Sequence, residues 1–245
     1  MKNLVIIPTY NECENIEAII EAVFLLPEKF DVLIVDDGSP DGTAQLVKNL
    51  QLTYPGLLHL EERKGKLGLG TAYIHGFKWA LARDYAYIFE MDADFSHNPK
   101  DLVRLLHACR DQAYDVAVGS RYIKGVNVIN WPMSRVLMSY FAGIYVRTIT
   151  GMPIMDPTGG FICYSREVLE TIPLDKIQFV GYAFQIEMKF NAYLYKFKIT
   201  EVPIVFTDRT KGQSKLSTKI FKEAVLGVVM MKIWSLFKSF RRNGH

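Results

Sequence analysis

Four apolar runs in the first half of this 245-residue chain each stop at a polar cluster, with helix-period stretches in between. The runs cover residues 4–7, 32–35, 85–91 and 116–118. The clusters that follow are Thr9, Tyr10, Asn11 and Glu12; Asp36, Asp37, Gly38 and Ser39; Asp92, Ala93 and Asp94; and Gly119, Ser120, Arg121 and Tyr122. A short apolar run bounded by turn residues reads as a buried strand. A weaker strand ends at His59 and Leu60. Amphipathic stretches at 14–26, 42–50 and 100–110 supply helices, the last one marked by Pro99 at its start. This alternation predicts an α/β fold: a mostly parallel sheet covered on both faces, with ligands at the carboxyl ends of its strands. All four polar clusters fall at those ends.

Asp92 and Asp94 are two residues apart, so an extended backbone points both to one side. Unpaired, they would repel by up to ~4 kcal/mol at 4 Å and an effective dielectric near 20. A cation relieves that repulsion, and carboxylate oxygens without nearby Cys or His favour Mg2+ or Mn2+. Such an ion keeps several waters and takes a substrate diphosphate as further ligand. Asp37, at another strand end, is suited to accept from a nucleobase or a ribose hydroxyl. Beside it, Tyr10 can stack on a base and Glu12 can accept from ribose. Asp41 and Thr43 have a simpler role open to them, capping the next helix. Residues 63–70 are basic and glycine-rich, but the spacing is G-x-x-G-x-G, not the dinucleotide fingerprint. A mobile loop near phosphates and a plain helix-start turn are both open.

The second half reads differently. Residues 135–150 form an apolar helix carrying Arg135 and Arg147; 161–164 and 201–206 read as strands, and 182–195 as a helix. No repeat or linker is visible, so residues 1–220 are expected to form a single domain. Residues 217–242 form a terminal helix whose apolar core stops at Lys232, short of the ~20 residues that span a bilayer. Ile233, Trp234, Phe237 and Phe240 share one stripe of it. It can lie in a membrane interface, or pack on its own core or a second subunit. Residues 196–245 hold eleven Lys/Arg against three Asp/Glu, while the remainder carries 18 against 23. A basic end on an acidic body suits an anionic partner such as phosphate or lipid headgroup. No aromatic-basic RNA motif accompanies it, so nucleic acid is not expected. Cys13, Cys109 and Cys163 lack metal or redox spacing and are expected to be reduced thiols of a cytoplasmic protein.

Taken together, the motifs at 8–12, 35–39, 63–70, 92–94 and 119–122 resemble the family-two glycosyltransferases of GT-A fold, a Rossmann-like nucleotide-sugar-binding architecture. The segments at 156–161, 181–188, 201–204 and 208–215 narrow the resemblance to dolichol-phosphate (polyprenol-phosphate) mannose synthases. The likeness runs in order from residue 3 to about 220. It implies mannose transfer from GDP-mannose to a polyprenyl or dolichyl phosphate, with inversion at the anomeric carbon. Glucose from UDP-glucose is the alternative within the same fold. The resemblance implies that Pro8, Tyr10, Glu12, Val35 and Asp37 hold the donor nucleoside. Asp92, Ala93 and Asp94 would hold the metal and diphosphate, Asp94 as direct ligand. Arg121, Arg209 and Lys215 would sit at the phosphates of donor and acceptor, with Arg121, Arg135 and Lys215 pairing with the acceptor lipid phosphate. Ser96 stands where some members have a metal-binding Gln. Gln185 stands where hydroxyl-glycosylating members have an acidic base, which fits an acceptor that is already ionised. Intact Asp92, Asp94, Arg209 and Lys215 argue against a non-catalytic subunit. The expected location is peripheral, at the cytoplasmic face of a membrane, with a homodimer or a membrane-subunit partner open.

Overall fold

The computed structural model of the chain describes residues 1–208 and 218–242. Four β-α steps and a fifth strand open the chain: β1 (Lys2–Thr9), α1 (Ile16–Phe24), β2 (Asp31–Asp36), α2 (Thr43–Thr53), β3 (Leu58–Glu62), α3 (Leu69–Leu81), β4 (Tyr85–Glu90), α4 (Asp101–Arg110) and β5 (Val116–Ser120). Then come β6 (Val128–Ile129), α5 (Met133–Thr150), β7 (Ile162–Ser165), α6 (Arg166–Thr171), α7 (Tyr182–Leu194), β8 (Ile199–Pro203), β9 (Phe206–Thr207) and α8 (Thr218–Leu236). The seven-stranded sheet runs β3-β2-β1-β4-β7-β5-β8, and a two-stranded sheet pairs β6 with β9. All pairs in the large sheet are parallel except those of β7, which runs antiparallel to both β4 and β5.

Both faces of the sheet are covered, which is why its strands are continuous apolar runs rather than alternating ones. Val5, Ile7, Val32, Ile34 and Phe89 point into a layer closed by α1, α2 and α4. Their strand neighbours Leu4, Ile6, Leu33, Val35 and Ile88 point into a layer closed by α3, α6 and α7. The helices present matching stripes: Ile16, Ile19, Ile20 and Val23 on α1, and Leu102, Leu105, Leu106 and Cys109 on α4. Strand order reverses between β1 and β4, so a crevice opens at their carboxyl ends.

The terminal helix packs one face and exposes the other. Val228 and Met231 join a third apolar cluster with Val146 of α5 and Ile186 and Phe190 of α7. Tyr145 Oη donates to the Val225 carbonyl at 2.9 Å, and Lys232 Nζ to the Thr150 carbonyl at 3.2 Å. Leu226, Val229, Met230, Ile233, Leu236 and Phe237 lie outward. The helix stops at Leu236, so the expected stripe through Phe240 is not continuous; Phe240 instead sets its ring edge-on to Tyr195. Among the described residues, no helix is long and apolar enough to cross a membrane.

Gly76 marks how tightly α3 meets the sheet. A Cβ built there would lie 2.7 Å from Ile6 Cγ2, and a β-branched side chain has little freedom to yield. We expect Gly76→Ala to destabilise the fold by about 1–3 kcal/mol, read as a lower urea midpoint at unchanged m-value.

Candidate active site

One side of the crevice is built by the ends of β1 and β2. Asp36 organises the turn: it accepts from Thr9 Oγ1 at 2.8 Å, from the Ser39 amide at 2.9 Å and from Ser39 Oγ at 2.6 Å. Asp37 has a partner that the sequence did not reveal. Arg63 Nε donates to its Oδ1 at 2.7 Å and the Leu67 amide to its Oδ2 at 3.2 Å, and both charged side chains are only 8% exposed. Lys66 Nζ lies 5.1 Å from the Tyr10 ring centroid. The basic glycine-rich segment therefore closes over Tyr10 and Asp37 before running into α3. Gly38, at φ +69, permits the crossing: a Cβ there would stand 3.1 Å from the Gly65 nitrogen. The Glu12 amide donates to Thr43 Oγ1 and its carboxylate accepts from Asn15. Asp41 Oδ1 accepts from the Thr43 amide at 3.0 Å in the turn before α2, but the N-cap position falls to Gly42 and carries no side-chain cap bond, so neither Asp41 nor Thr43 takes the capping role expected of them. Val35 is wholly buried on the core side, so only its backbone can meet a ligand, while Pro8 is half-buried.

The end of β4 carries the paired acids. Asp94 is buried and its Oδ1 accepts the Ser96 amide at 3.1 Å, a turn that sets Phe95 at φ +59. Asp92 is more open, at 39% side-chain exposure. His97, which sequence reasoning missed, accepts the Asp92 amide on Nδ1 at 3.3 Å and stacks on Phe161 at 4.8 Å. Burial pulls its pKa down to about 4, so the ring is neutral and its proton resides on Nε2. Buried Ser96 Oγ has no partner. Two carboxylates and an uncommitted hydroxyl suit a hard divalent cation. Among the described residues, no group of three or more His, Cys, Asp or Glu gathers as a cage, so the remaining ligands would be phosphate oxygens and water.

Beneath these acids lies Glu90, fully buried and pushed up to about 8 by burial. Gln185 Nε2 donates to its Oε2, while Glu90 Oε1 and Gln185 Oε1 each lack a partner. A protonated carboxyl is a donor as well as an acceptor, and one aimed at Gln185 Oε1 would satisfy both. Glu187, one turn-step on, accepts the Gln178 and Phe179 amides at 3.0 Å, so its carboxylate caps the turn before α7.

A second cluster of charged residues centres on the end of β5. Arg121 forms a buried two-pronged pair with Asp156: Nε to Oδ2 at 2.7 Å and Nη2 to Oδ1 at 2.6 Å. The Arg121 amide adds a bond at 3.0 Å and Thr158 Oγ1 accepts from Nη2 at 2.9 Å. Burial pushes the Asp156 carboxyl up, but the Arg121 charge more than reverses this and leaves it below 3.8. Glu201 of β8 accepts the Met155 and Asp156 amides at 2.7 and 2.9 Å. Arg135, at the start of α5, pairs with Asp208 at 2.9 Å. Trp131 joins the two arginines: its ring centroid is 5.4 Å from Arg121 Cζ and 4.0 Å from Arg135 Cζ. Nothing in the sequence pattern pointed to Trp131, because its partners lie on separate elements. Arg209 and Lys215 lie outside the described residues.

Asp156→Ala would leave the Arg121 charge buried and unpaired, with an expected loss of about 3–5 kcal/mol at pH 7. Because the folded-state pKa is depressed, this stabilisation is present above 3.8 and lost as pH falls through the folded value. Urea titrations of wild type and variant should therefore converge in strong acid.

Comparison with known proteins gives the family and the fold. Residues 4–172 match the family described as Glycosyl transferase family 2. The chain is 46% identical to a polyprenol monophosphomannose synthase of Mycolicibacterium smegmatis, over 93% of this chain and 85% of that protein. It is 40% identical to an undecaprenyl-phosphate mannosyltransferase of Micrococcus luteus, over 98% of each. Among solved structures, glucosyl-3-phosphoglycerate synthase from Mycobacterium tuberculosis, with Mn2+, UDP and glucosyl-3-phosphoglycerate, superposes at TM-score 0.66 with 16% identity, covering 96% of this chain and 79% of that one. A mannosyltransferase from Pyrobaculum calidifontis, with GDP-Man and Mn2+, superposes at 0.59 with 18% identity, covering 96% and 72%. These likenesses are of fold, the GT-A fold.

Proposed function

We propose that this chain, which belongs to glycosyl transferase family 2 and is a glycosyltransferase, moves mannose from GDP-mannose to a polyprenyl phosphate. The observation that carries the reading is the 40% identity over nearly the full length of a mannosyltransferase whose name gives a polyprenyl-phosphate acceptor. Pro8, Tyr10, Glu12, Asp37 and the Val35 backbone take the nucleoside. Donor entry requires the Lys66 segment to shift from the Tyr10 ring. Asp92 and Asp94 hold Mg2+ or Mn2+, which when bound offsets charge on the departing diphosphate. Arg209 and Lys215 add cationic charge there. Arg121 and Arg135, which share Trp131, form the seat of the acceptor phosphate through charge-assisted bonds.

A phosphate with a second pKa near ~6 is already ionised at neutral pH, so no general base is needed. The first turns of α7 support this: Gln185 cannot take a proton, and the Glu187 carboxylate is engaged by two amides. Attack by the phosphate oxygen opposite the departing GDP inverts the anomeric carbon and yields a β-mannosyl phosphate.

The acceptor is a lipid, and α5 leads away from Arg135 with Met133, Leu137, Tyr140 and Phe141 outward. The outward stripe of α8 lies beside it, since the two helices pack together through Val146 and Val228. We place this surface on the cytoplasmic face of a membrane, as a peripheral contact.

Asp94→Ala should lower labelled mannose transfer by more than about a hundredfold and remove its dependence on divalent cation. A panel of labelled nucleotide sugars decides the donor; preferential transfer from UDP-glucose would overturn GDP-mannose. Leu137→Asp with Phe141→Asp should reduce co-sedimentation with anionic vesicles at unchanged thermal midpoint, and unchanged sedimentation would remove the membrane contact.

A further inference from the structure

Lys189 is fully buried on α7. Its ammonium donates to the Gly159 carbonyl at 2.6 Å and the Gln185 carbonyl at 3.1 Å. Neither partner is a carboxylate, which makes this an expensive place for a charge. Burial lowers its pKa to about 8; Glu90 on β4, Asp156 and Glu201 on β8 oppose that, and Arg121 at the end of β5 adds to it. A methionine would fill the same space without the desolvation penalty, so packing alone does not explain a lysine here.

One of these contacts leaves the helix, to Gly159, and the other stays on it, to the Gln185 carbonyl one turn back on α7. Gly159 belongs to the tight loop 155–160, pressed so close to β5 that a Cβ there would meet the Gly119 carbonyl at 3.1 Å and Asp156 Cγ at 3.3 Å. That loop presents Asp156 and Thr158 to Arg121. Gln185 belongs to the first turns of α7 and bonds Glu90, two residues before Asp92. The bond to Gly159 ties the loop to α7, and the bond to the Gln185 carbonyl holds the ammonium against its own helix so that this tie has one geometry.

We infer that Lys189 is a positioning residue, tying α7 to the loop at 155–160 and so fixing the Arg121 guanidinium towards the acceptor phosphate. The inference rests on the reading of Arg121 and Arg135 as the seat of that phosphate. Its test uses the full-length chain with GDP-mannose and a short polyprenyl phosphate, comparing wild type with Lys189→Met, Lys189→Gln and Arg135→Gln. The methionine variant should raise the acceptor KM about tenfold to a hundredfold and leave the donor KM nearly unchanged. The glutamine variant, which keeps an N–H donor, should recover most of that loss. It also serves if the methionine variant does not fold. A fall in thermal midpoint with both KM values unchanged, or failure of both variants to fold, would assign Lys189 to core packing and overturn the inference. If Lys189→Met leaves the acceptor KM unchanged while Arg135→Gln raises it, the inference falls and the phosphate seat stands. If Arg135→Gln also leaves it unchanged, the seat is misassigned and the inference falls with it.

Discussion

The ion pair between Arg121 and Asp156 is the constraint around which the end of β5 and the loop at 155–160 are arranged. Asp156 is wholly buried, and its carboxylate meets both prongs of the guanidinium and the Arg121 amide. A buried pair of this kind is poor evidence for stability, because desolvation offsets most of the attraction. Its value lies in direction. An arginine bound at Nε and Nη2 has one orientation left, so its charge is aimed before any ligand arrives. Glu201, Thr158 and Lys189 hold the loop that makes this possible.

Much of the fold was legible because the first half of the chain obeys one rule throughout. Each strand is apolar on both faces, each helix shows a single stripe, and polar residues collect at one end of the sheet. Those features are local, so the expected strands agree with β1 to β5, and the expected helices with α1, α2 and α4, within a few residues; α3 (Leu69–Leu81) was not expected beyond a helix-start turn in the glycine-rich segment. The sense of β7 was not legible. Phe161, Ile162, Cys163 and Tyr164 read as a strand from composition alone, but composition carries no direction. Its antiparallel insertion between β4 and β5 follows from the return path of α5.

The site divides the same way. Asp92 and Asp94 announced themselves through spacing, and the motif resemblance gathered Tyr10, Asp37, Arg121 and Arg135. Pairings between distant segments were hidden. Arg63 lies 26 residues from the Asp37 it neutralises, and Arg121 lies 35 residues from Asp156. His97 and Trp131 were invisible for a related reason: each acts through ring contacts with several elements, and no periodicity encodes that.

The outward apolar stripes on α5 and α8 have a kinetic corollary. On the proposed reading, the catalyst rests on the same two-dimensional phase in which its acceptor diffuses. Turnover then depends on the mole fraction of acceptor among the surrounding lipids rather than on its amount per litre. Inert lipid added at constant acceptor would slow the reaction by dilution within the plane, although every bulk concentration of reactant stayed the same.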